Sequence, residues 1–209
     1  VTSTADTDTV GTLRYAIGYA NANAGDDAIT FDIAGAGPHV ITLTSALPTL
    51  NDDGISIDGS SQTGASCGDL WAGAPHLLEI VIDANGGALD VLSIAGDNIA
   101  IRGLSLVGAT NAQSGVYITP TSDAAAISCS YIGLLPDGTA DSNIYGIASR
   151  GSNAMSGGAS SGDGNVISAN VNDGILLFLG NSGTSIEGNF IGTDPLGATA
   201  DANGRYGVS

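Results

Sequence analysis

Two stretches of this chain are near-copies of each other, and this repetition constrains the fold more than any other feature. The stretches run from 127 to 147 (ISCSYIGLLPDGTADSNIYGI) and from 186 to 208 (IEGNFIGTDPLGATADANGRYGV). Their offset grows from 59 residues at Ile127 to 61 at Tyr145, so the copies differ by short loop insertions. A repeat of this kind cannot bury its own apolar face and becomes stable only when it is stacked on its neighbours. The repetition therefore predicts a solenoid.

The polar residues of the chain are those of turns, whereas its apolar residues come in short, β-branched segments. Lys is absent, Glu occurs only twice, and 32 of the 209 residues are Gly. Turns favour Asp, Asn and Gly, which are poor helix formers. Apolar hexapeptides recur at 101–106, 127–132 and 186–191, and Gly-apolar segments begin at Gly115, Gly146, Gly174 and Gly207. These features predict an all-β protein in which each coil holds two or three short strands.

The N-terminal region contains the one segment with helical periodicity. Apolar residues recur at helical spacing from Leu13 to Ala20, with Thr12 as a candidate N-cap and Gly25 as a candidate stop. An amphipathic helix laid across the first coil would cover its open edge. We therefore expect a short capping helix, preceded by a first strand within residues 1–9.

The chain is expected to form a single domain over residues 1–209. Residues 1–27 form the N-terminal cap, and residues 28–85 form the first coils, interrupted by a long loop at 58–76. Residues 86–209 form regular coils, and their C-terminal end is expected to be uncapped. An uncapped coil is a template for strand pairing, so we expect it to be covered by the remainder of a longer chain or by another copy.

Several motifs resemble those of a known family. They are GTLRYAI at 11–17, IDGSSQTG at 57–64 and IEGNFIGTDPLG at 186–197. In these motifs the chain resembles secreted or cell-surface bacterial proteins with a right-handed parallel β-helix, within the pectate-lyase-like superfamily. The resemblance implies right-handed winding, a helical N-terminal cap and a location outside the cell. It implies no particular activity, because the same fold carries many functions.

The charge of the chain excludes some classes of partner. A net charge of −17 disfavours nucleic acid, anionic membrane surfaces and polyuronates, all of which need clustered Lys and Arg. No apolar run is long enough to span a bilayer, so membrane insertion is not expected. Carbohydrate remains a candidate partner.

Candidate catalytic groups are few. Lyases of this fold use a basic residue, and the chain offers only four Arg residues, of which Arg102 is expected to face solvent. Hydrolases pair two carboxylates, and the adjacent pair Asp52–Asp53 is a candidate, although NDDG is also an ordinary turn sequence. His39 and His76 lack metal-ligand spacing and are expected to be loop residues.

Calcium is the one candidate cofactor, and none is required. The loops at 136–143 and 193–203 offer carboxylates and backbone carbonyls, which suit a hard cation. The candidate ligands are Asp137, Asp141, Asp194 and Asp201. The alternative is that these Asp side chains cap their own turns and need no ion.

The two cysteines, Cys67 and Cys129, are 62 residues apart. Coils of 20 to 30 residues would place them two or three strand spacings apart, roughly 10–14 Å. A disulfide needs Cα atoms within about 7 Å, so this spacing favours free thiols unless the long loop runs along the side of the solenoid.

Regular coils with few catalytic groups favour a non-catalytic structural or adhesive module of an exported protein, with end-to-end self-assembly as one mode of action. The alternative is a polysaccharide lyase, a glycoside hydrolase or a carbohydrate-binding module on the same fold.

Overall fold

The computed structural model describes all 209 residues and is a parallel β-solenoid of about six turns with one short α-helix. The fold class expected from the repeats is thus confirmed, while right-handed winding stays a prediction. The helix, α1, spans Leu13–Ala20. The strands are, in chain order, β1 (Ala28–Thr30), β2 (His39–Thr42), β3 (Ser56–Asp58), β4 (Ile80–Asp83), β5 (Leu92–Ile94), β6 (Ala100–Arg102), β7 (Ser105–Val107), β8 (Ser114–Ile118), β9 (Ala126–Ser128), β10 (Tyr131–Ile132), β11 (Tyr145–Ser149), β12 (Met155–Gly157), β13 (Val166–Ile167), β14 (Ile175–Leu177), β15 (Ser185–Glu187) and β16 (Phe190–Ile191).

The strands form three parallel sheets that run along the solenoid. The first sheet has the order β1-β3-β6-β9-β12-β15, and the second has the order β2-β4-β7-β10-β13-β16. The third and shorter sheet has the order β5-β8-β11-β14. Each coil therefore contributes one strand to the first sheet and one to the second, and four of the coils contribute a strand to the third. We number the coils 1 to 6 by these first-sheet strands.

The core is built from columns of apolar side chains in direct register between coils. The column of the second sheet contains Ile41, Ile82, Leu106, Ile132, Ile167 and Ile191. The column of the first sheet contains Ile29, Ile57, Ile101, Ile127 and Ile186, and it is interrupted in coil 5 by the polar side chain of Ser156. Burying one such side chain contributes about 1.5–3 kcal/mol, so most of the stability comes from contacts between coils.

The expected capping helix is confirmed. The Thr12 hydroxyl accepts a hydrogen bond from the Tyr15 N–H, which satisfies one free donor at the start of α1. Leu13 and Ile17 are fully buried and join the same core as Ile29 of β1. The first strand expected within residues 1–9 is wrong, because this segment forms no regular element. Its Asp6 instead pairs with Arg14 of α1 at 2.8 Å, which fixes the segment to the helix.

Candidate functional site

The long segment 59–79 between β3 and β4, called the strap below, does not stay beside its own coil. It leaves coil 2 and runs along the side of the solenoid, where it contacts coils 4, 5 and 6. Two short 3-10 turns, Gly59–Ser61 and Leu70–Ala72, give it local structure. Leu70 and Leu78 are buried in a second apolar cluster with Tyr131. The strap is therefore packed against the coils like a structural element.

A disulfide fastens the strap to coil 4. Cys67 and Cys129 are bonded, with their Cα atoms 5.5 Å apart. The expectation of free thiols is wrong, because the strap carries Cys67 along the solenoid axis and strand spacing does not set the distance. Cys129 also has a positive φ of 50°. The equivalent corner positions of coils 3 and 6 are Gly103 and Gly188, which have φ values of 71° and 69°.

His76 holds the strap on coil 5. Its side chain is buried, with Nε2 2.7 Å from the Gly164 carbonyl oxygen, while Nδ1 accepts a hydrogen bond from the Gly68 N–H. Nε2 must therefore carry the proton and donate to Gly164. Burial lowers the pKa of His76, and the charge of Arg102 acts in the same direction, so the ring stays neutral. His76 does lie in a loop, as expected, whereas His39 lies in β2.

Two further side chains complete the contact between strap and coils. The Tyr131 hydroxyl donates to the His76 carbonyl oxygen at 3.1 Å, and burial raises the pKa of Tyr131 to about 12. Arg102 does not simply face solvent as expected. Its Nη2 lies 3.1 Å from the Cys67 sulfur, and its Nε lies 3.9 Å from an Asp58 oxygen, with 42% of the side chain still exposed. The strap is thus held by polar, covalent and apolar contacts at once.

The outer surface of the strap presents Trp71, which is 72% exposed. The indole Nε1 donates to the Gly188 carbonyl oxygen of coil 6 at 3.1 Å, and the ring meets Phe190 edge-on with centroids 5.0 Å apart. The backbone beneath Trp71 is fixed by Asp69, whose Oδ1 accepts hydrogen bonds from the N–H groups of Trp71 and Ala72. Trp71 is therefore exposed but held in place at one edge.

Trp71 separates two grooves. One has a volume of about 370 Å³ and is mostly polar, with Asp69, Ser160, Ser161 and Glu187 among its lining residues. The other has a volume of about 440 Å³ and is lined on its apolar side by Phe190, Ile191 and Leu196. Both volumes lie in the range of small-molecule sites. Trp71 is a lining residue of both grooves.

The four candidate calcium ligands lie on the two near-copied loops. The Thr139 N–H donates to Asp137, and Asp194 accepts from the Ala198 N–H and the Thr199 hydroxyl. These hydrogen bonds lower the pKa of both carboxyls, Thr139 acting on Asp137 and Thr199 foremost on Asp194. Both side chains thus cap their own turns, the alternative that the sequence left open.

The same loops also approach each other, because Gly138 packs against the Pro195 ring and Asp137 and Asp194 line one groove. Burial, with the nearby Asp83, raises the pKa of Asp141. Asp201 donates its backbone N–H to Gly192. No three His, Cys, Asp or Glu side chains come close enough together to hold a metal ion. Calcium binding here stays a prediction that metal titration tests.

The candidate pair Asp52–Asp53 lies at the corner between the third and first sheets. Asp53 Oδ1 accepts a hydrogen bond from the Asp97 N–H at 2.8 Å, and Asp97 Oδ1 accepts one from the Asp123 N–H at 2.8 Å. Asp53 thus begins a column of stacked corner residues. Asp52 has one buried oxygen without a hydrogen-bond partner.

No protein-family model and no curated protein matches this chain. The structure also contains no helix with the length and apolarity needed to cross a bilayer.

The Asn side chains of the last coil make the same hydrogen bonds to the preceding coil as those of the earlier coils, but they make none on their other side. Asn143, Asn170 and Asn203 form a ladder in which Asn143 Nδ2 donates to Asn170 Oδ1, and Asn170 Nδ2 donates to Asn203 Oδ1. Each Nδ2 also donates to the carbonyl of the preceding coil, as Asn203 does to Ile167 at 2.9 Å. In the first two Asn residues both amide hydrogens are therefore used. Asn203 uses only the amide hydrogen that points towards coil 5.

A second ladder ends in the same way. Asn165 Nδ2 donates to the Ile127 carbonyl and to Asn189 Oδ1, whereas Asn189 Nδ2 donates only to the Ser156 carbonyl. The apolar columns end on this face with Ile186 and Ile191, which are only partly buried. The C-terminal face of coil 6 thus carries apolar side chains and free amide donors. In the earlier coils, the equivalent positions contact the next coil.

Sequence reasoning missed the ladders and the role of Trp71. Asn143 and Asn203 occupy matching positions in the near-copies, and this was the available signal for one ladder. Asn170 lies in a coil without the copied loop, so no alignment pointed to it. Trp71 was visible only as the single Trp in a long loop, because nothing local in the sequence places it beside Gly188.

Proposed function

We propose that this chain is a non-catalytic structural module of an exported or cell-surface protein, and that a further parallel β-coil packs on its last coil. The free amide donors of Asn189 and Asn203 carry this proposal. In the preceding coils the equivalent amide hydrogens always find an Asn oxygen of the next coil. A parallel coil of the same kind would supply such an oxygen and cover Ile186 and Ile191.

The capping helix favours one source for that coil. Because α1 covers coil 1, a second copy cannot place its own first coil on the last coil of its neighbour. Tail-to-tail contact between copies would bring the strands together without the parallel register on which the ladders depend. A coil that continues the same winding satisfies both constraints, so we favour the remainder of a longer chain over a second copy.

The location outside the cell is supported by the disulfide. Disulfides persist in oxidising compartments and are rare in the cytosol. The resemblance to secreted pectate-lyase-like repeat proteins points to the same location and to right-handed winding. We therefore propose that the chain functions after export.

The test is to add one further coil to the chain. A duplicate of residues 177–209 fused after Ser209 would place a new first-sheet strand on β15, since Val208 already pairs with Ile175. We expect the added coil to protect its own amides and those of coil 6 from hydrogen exchange and to raise the melting temperature. The control is the same fusion with the added segment scrambled. An added coil that stays unprotected would refute the stacking proposal, and cleavage of a polysaccharide by the purified chain would refute the non-catalytic one.

A further inference from the structure

Trp71 has features that are typical of a binding residue. The structural role of the strap does not require these features. A strap residue needed only for packing would be buried like Leu70, which is 3% exposed, whereas most of the neighbouring indole is in solvent. A large aromatic ring left in water costs free energy that burial elsewhere would recover. The packing of the strap on coils 4 to 6 therefore does not account for the exposure of Trp71 in this chain.

The ring is also pre-organised. Its Nε1–H is committed to the Gly188 carbonyl, its edge contacts Phe190, and its backbone is capped by Asp69. The disulfide at Cys67 and the buried Leu70 hold the surrounding strap on the coils. A ring held in this way loses little conformational entropy when a ligand stacks on it.

The polar groove beside Trp71 is lined by residues that carry hydrogen-bond acceptors and donors. Glu187 is exposed, and its Oε1 accepts a hydrogen bond from the Ser185 hydroxyl, which leaves Oε2 for a ligand. Ser160 and Ser161, which each carry a hydroxyl group, line the same groove. A flat apolar face flanked by carboxylate and hydroxyl groups matches a sugar ring, which has an apolar C–H face and hydroxyl groups around its edge.

The charge of the molecule narrows the class of sugar. Asp69 and Glu187 are both acidic, no Lys exists, and the net charge is −17. Uronates and sulfated sugars would be repelled by this field, whereas uncharged sugars would not. The two grooves on either side of Trp71 together extend the site beyond one ring.

We propose that the strap forms a binding site for a neutral oligosaccharide, with Trp71 as its stacking platform and Glu187 as an acceptor for sugar hydroxyls. The site is formed by the strap together with residues of coils 5 and 6, and the 209-residue chain is the form in which it is tested.

Trp71 is the only Trp of the chain, so its fluorescence reports on this site directly. The probes are cellohexaose, mannohexaose and xylohexaose, with hexagalacturonate as the anionic comparison. We expect at least one neutral hexasaccharide to shift the Trp71 emission in a saturable way below about 10 mM, which is the weak end of specific binding. Hexagalacturonate should cause no shift.

Variants are compared by titration calorimetry, because removal of Trp71 removes the fluorescent signal. Trp71→Ala should weaken binding by about tenfold or more, Trp71→Phe should weaken it less, and Glu187→Gln should weaken it several-fold, since each removes part of the contact. The matched control is Leu179→Ala, an exposed apolar residue outside both grooves. Melting temperature and circular dichroism establish that each variant is folded.

Three outcomes would overturn the proposal. They are the absence of a shift with every neutral hexasaccharide, undiminished affinity in a folded Trp71→Ala variant, and binding of hexagalacturonate alone. None of these outcomes bears on whether a coil added after Ser209 folds on coil 6, so the two proposals fail separately.

Discussion

The glycines that open the third-sheet strands lie where a Cβ atom has no room. A Cβ on Gly174 would lie 2.7 Å from the Gly207 carbonyl oxygen and 2.8 Å from Asn203 Nδ2. Gly146 meets the equivalent carbonyl and amide of the next coil, those of Gly174 and Asn170. The Asn ladder can therefore approach the backbone only because each of these positions lacks a side chain.

At this scale, Gly146→Ala is expected to destabilise the protein by about 2 kcal/mol, because its methyl group would press on backbone atoms that cannot move without shifting a coil. The apparent melting temperature should fall by roughly 4–8 °C for a chain of this size. Gly18→Ala in α1 is the matched control, since a Cβ there meets nothing within 4 Å. That change should be neutral or stabilising by about 0.5–1 kcal/mol. Equal effects of the two substitutions would contradict this account.

These glycines show which structural features a repeated sequence predicts and which it does not. The Gly-apolar spacing predicted the third-sheet strands, since strand starts recur visibly at Gly115, Gly146 and Gly174. The reason for glycine was hidden, because the atoms that exclude a Cβ come from the following coil. An interaction between coils leaves a pattern in the sequence only where both partners repeat.

Among the elements, the strap departs most from what the sequence predicts. Strand and helix positions follow from local periodicity, which is why α1 and most strands were predicted. The path of the strap depends on contacts between residues far apart, such as Trp71 with Gly188, 117 positions later. Distance estimates based on the regular rise of the coils therefore failed for Cys67.

Removal of the disulfide should loosen the strap before the coils. Cys67→Ala with Cys129→Gly removes the bond and places glycine at a corner where coils 3 and 6 already have it. We expect a loss of roughly 2–4 kcal/mol, because the bond closes a loop of 62 residues. Chymotrypsin should then cleave near Trp71 while the strands stay protected. Unchanged melting temperature and unchanged proteolysis would show that the buried contacts of Leu70 and His76 suffice.

At the scale of the whole molecule, stability is a sum of contacts between neighbouring coils. Coil 4 is covered on both sides, whereas coil 6 is covered on one side in this structure. Amides of β15 and β16 should therefore exchange with solvent faster than those of β9 and β10. Hydrogen exchange followed by mass spectrometry measures this gradient. Uniform protection along the solenoid would mean that the molecule opens only as one cooperative unit.

The disulfide also changes how the molecule would respond to a pulling force. A solenoid held at its two ends yields one coil at a time, because each coil is attached only to its neighbours. The bond between Cys67 and Cys129, which are separated by 62 positions, removes the segment between them from the load path. At about 3.3 Å per residue, roughly 200 Å of chain stays unavailable for extension until the bond is reduced. The chain would therefore stretch further under force in a reducing environment than in an oxidising one.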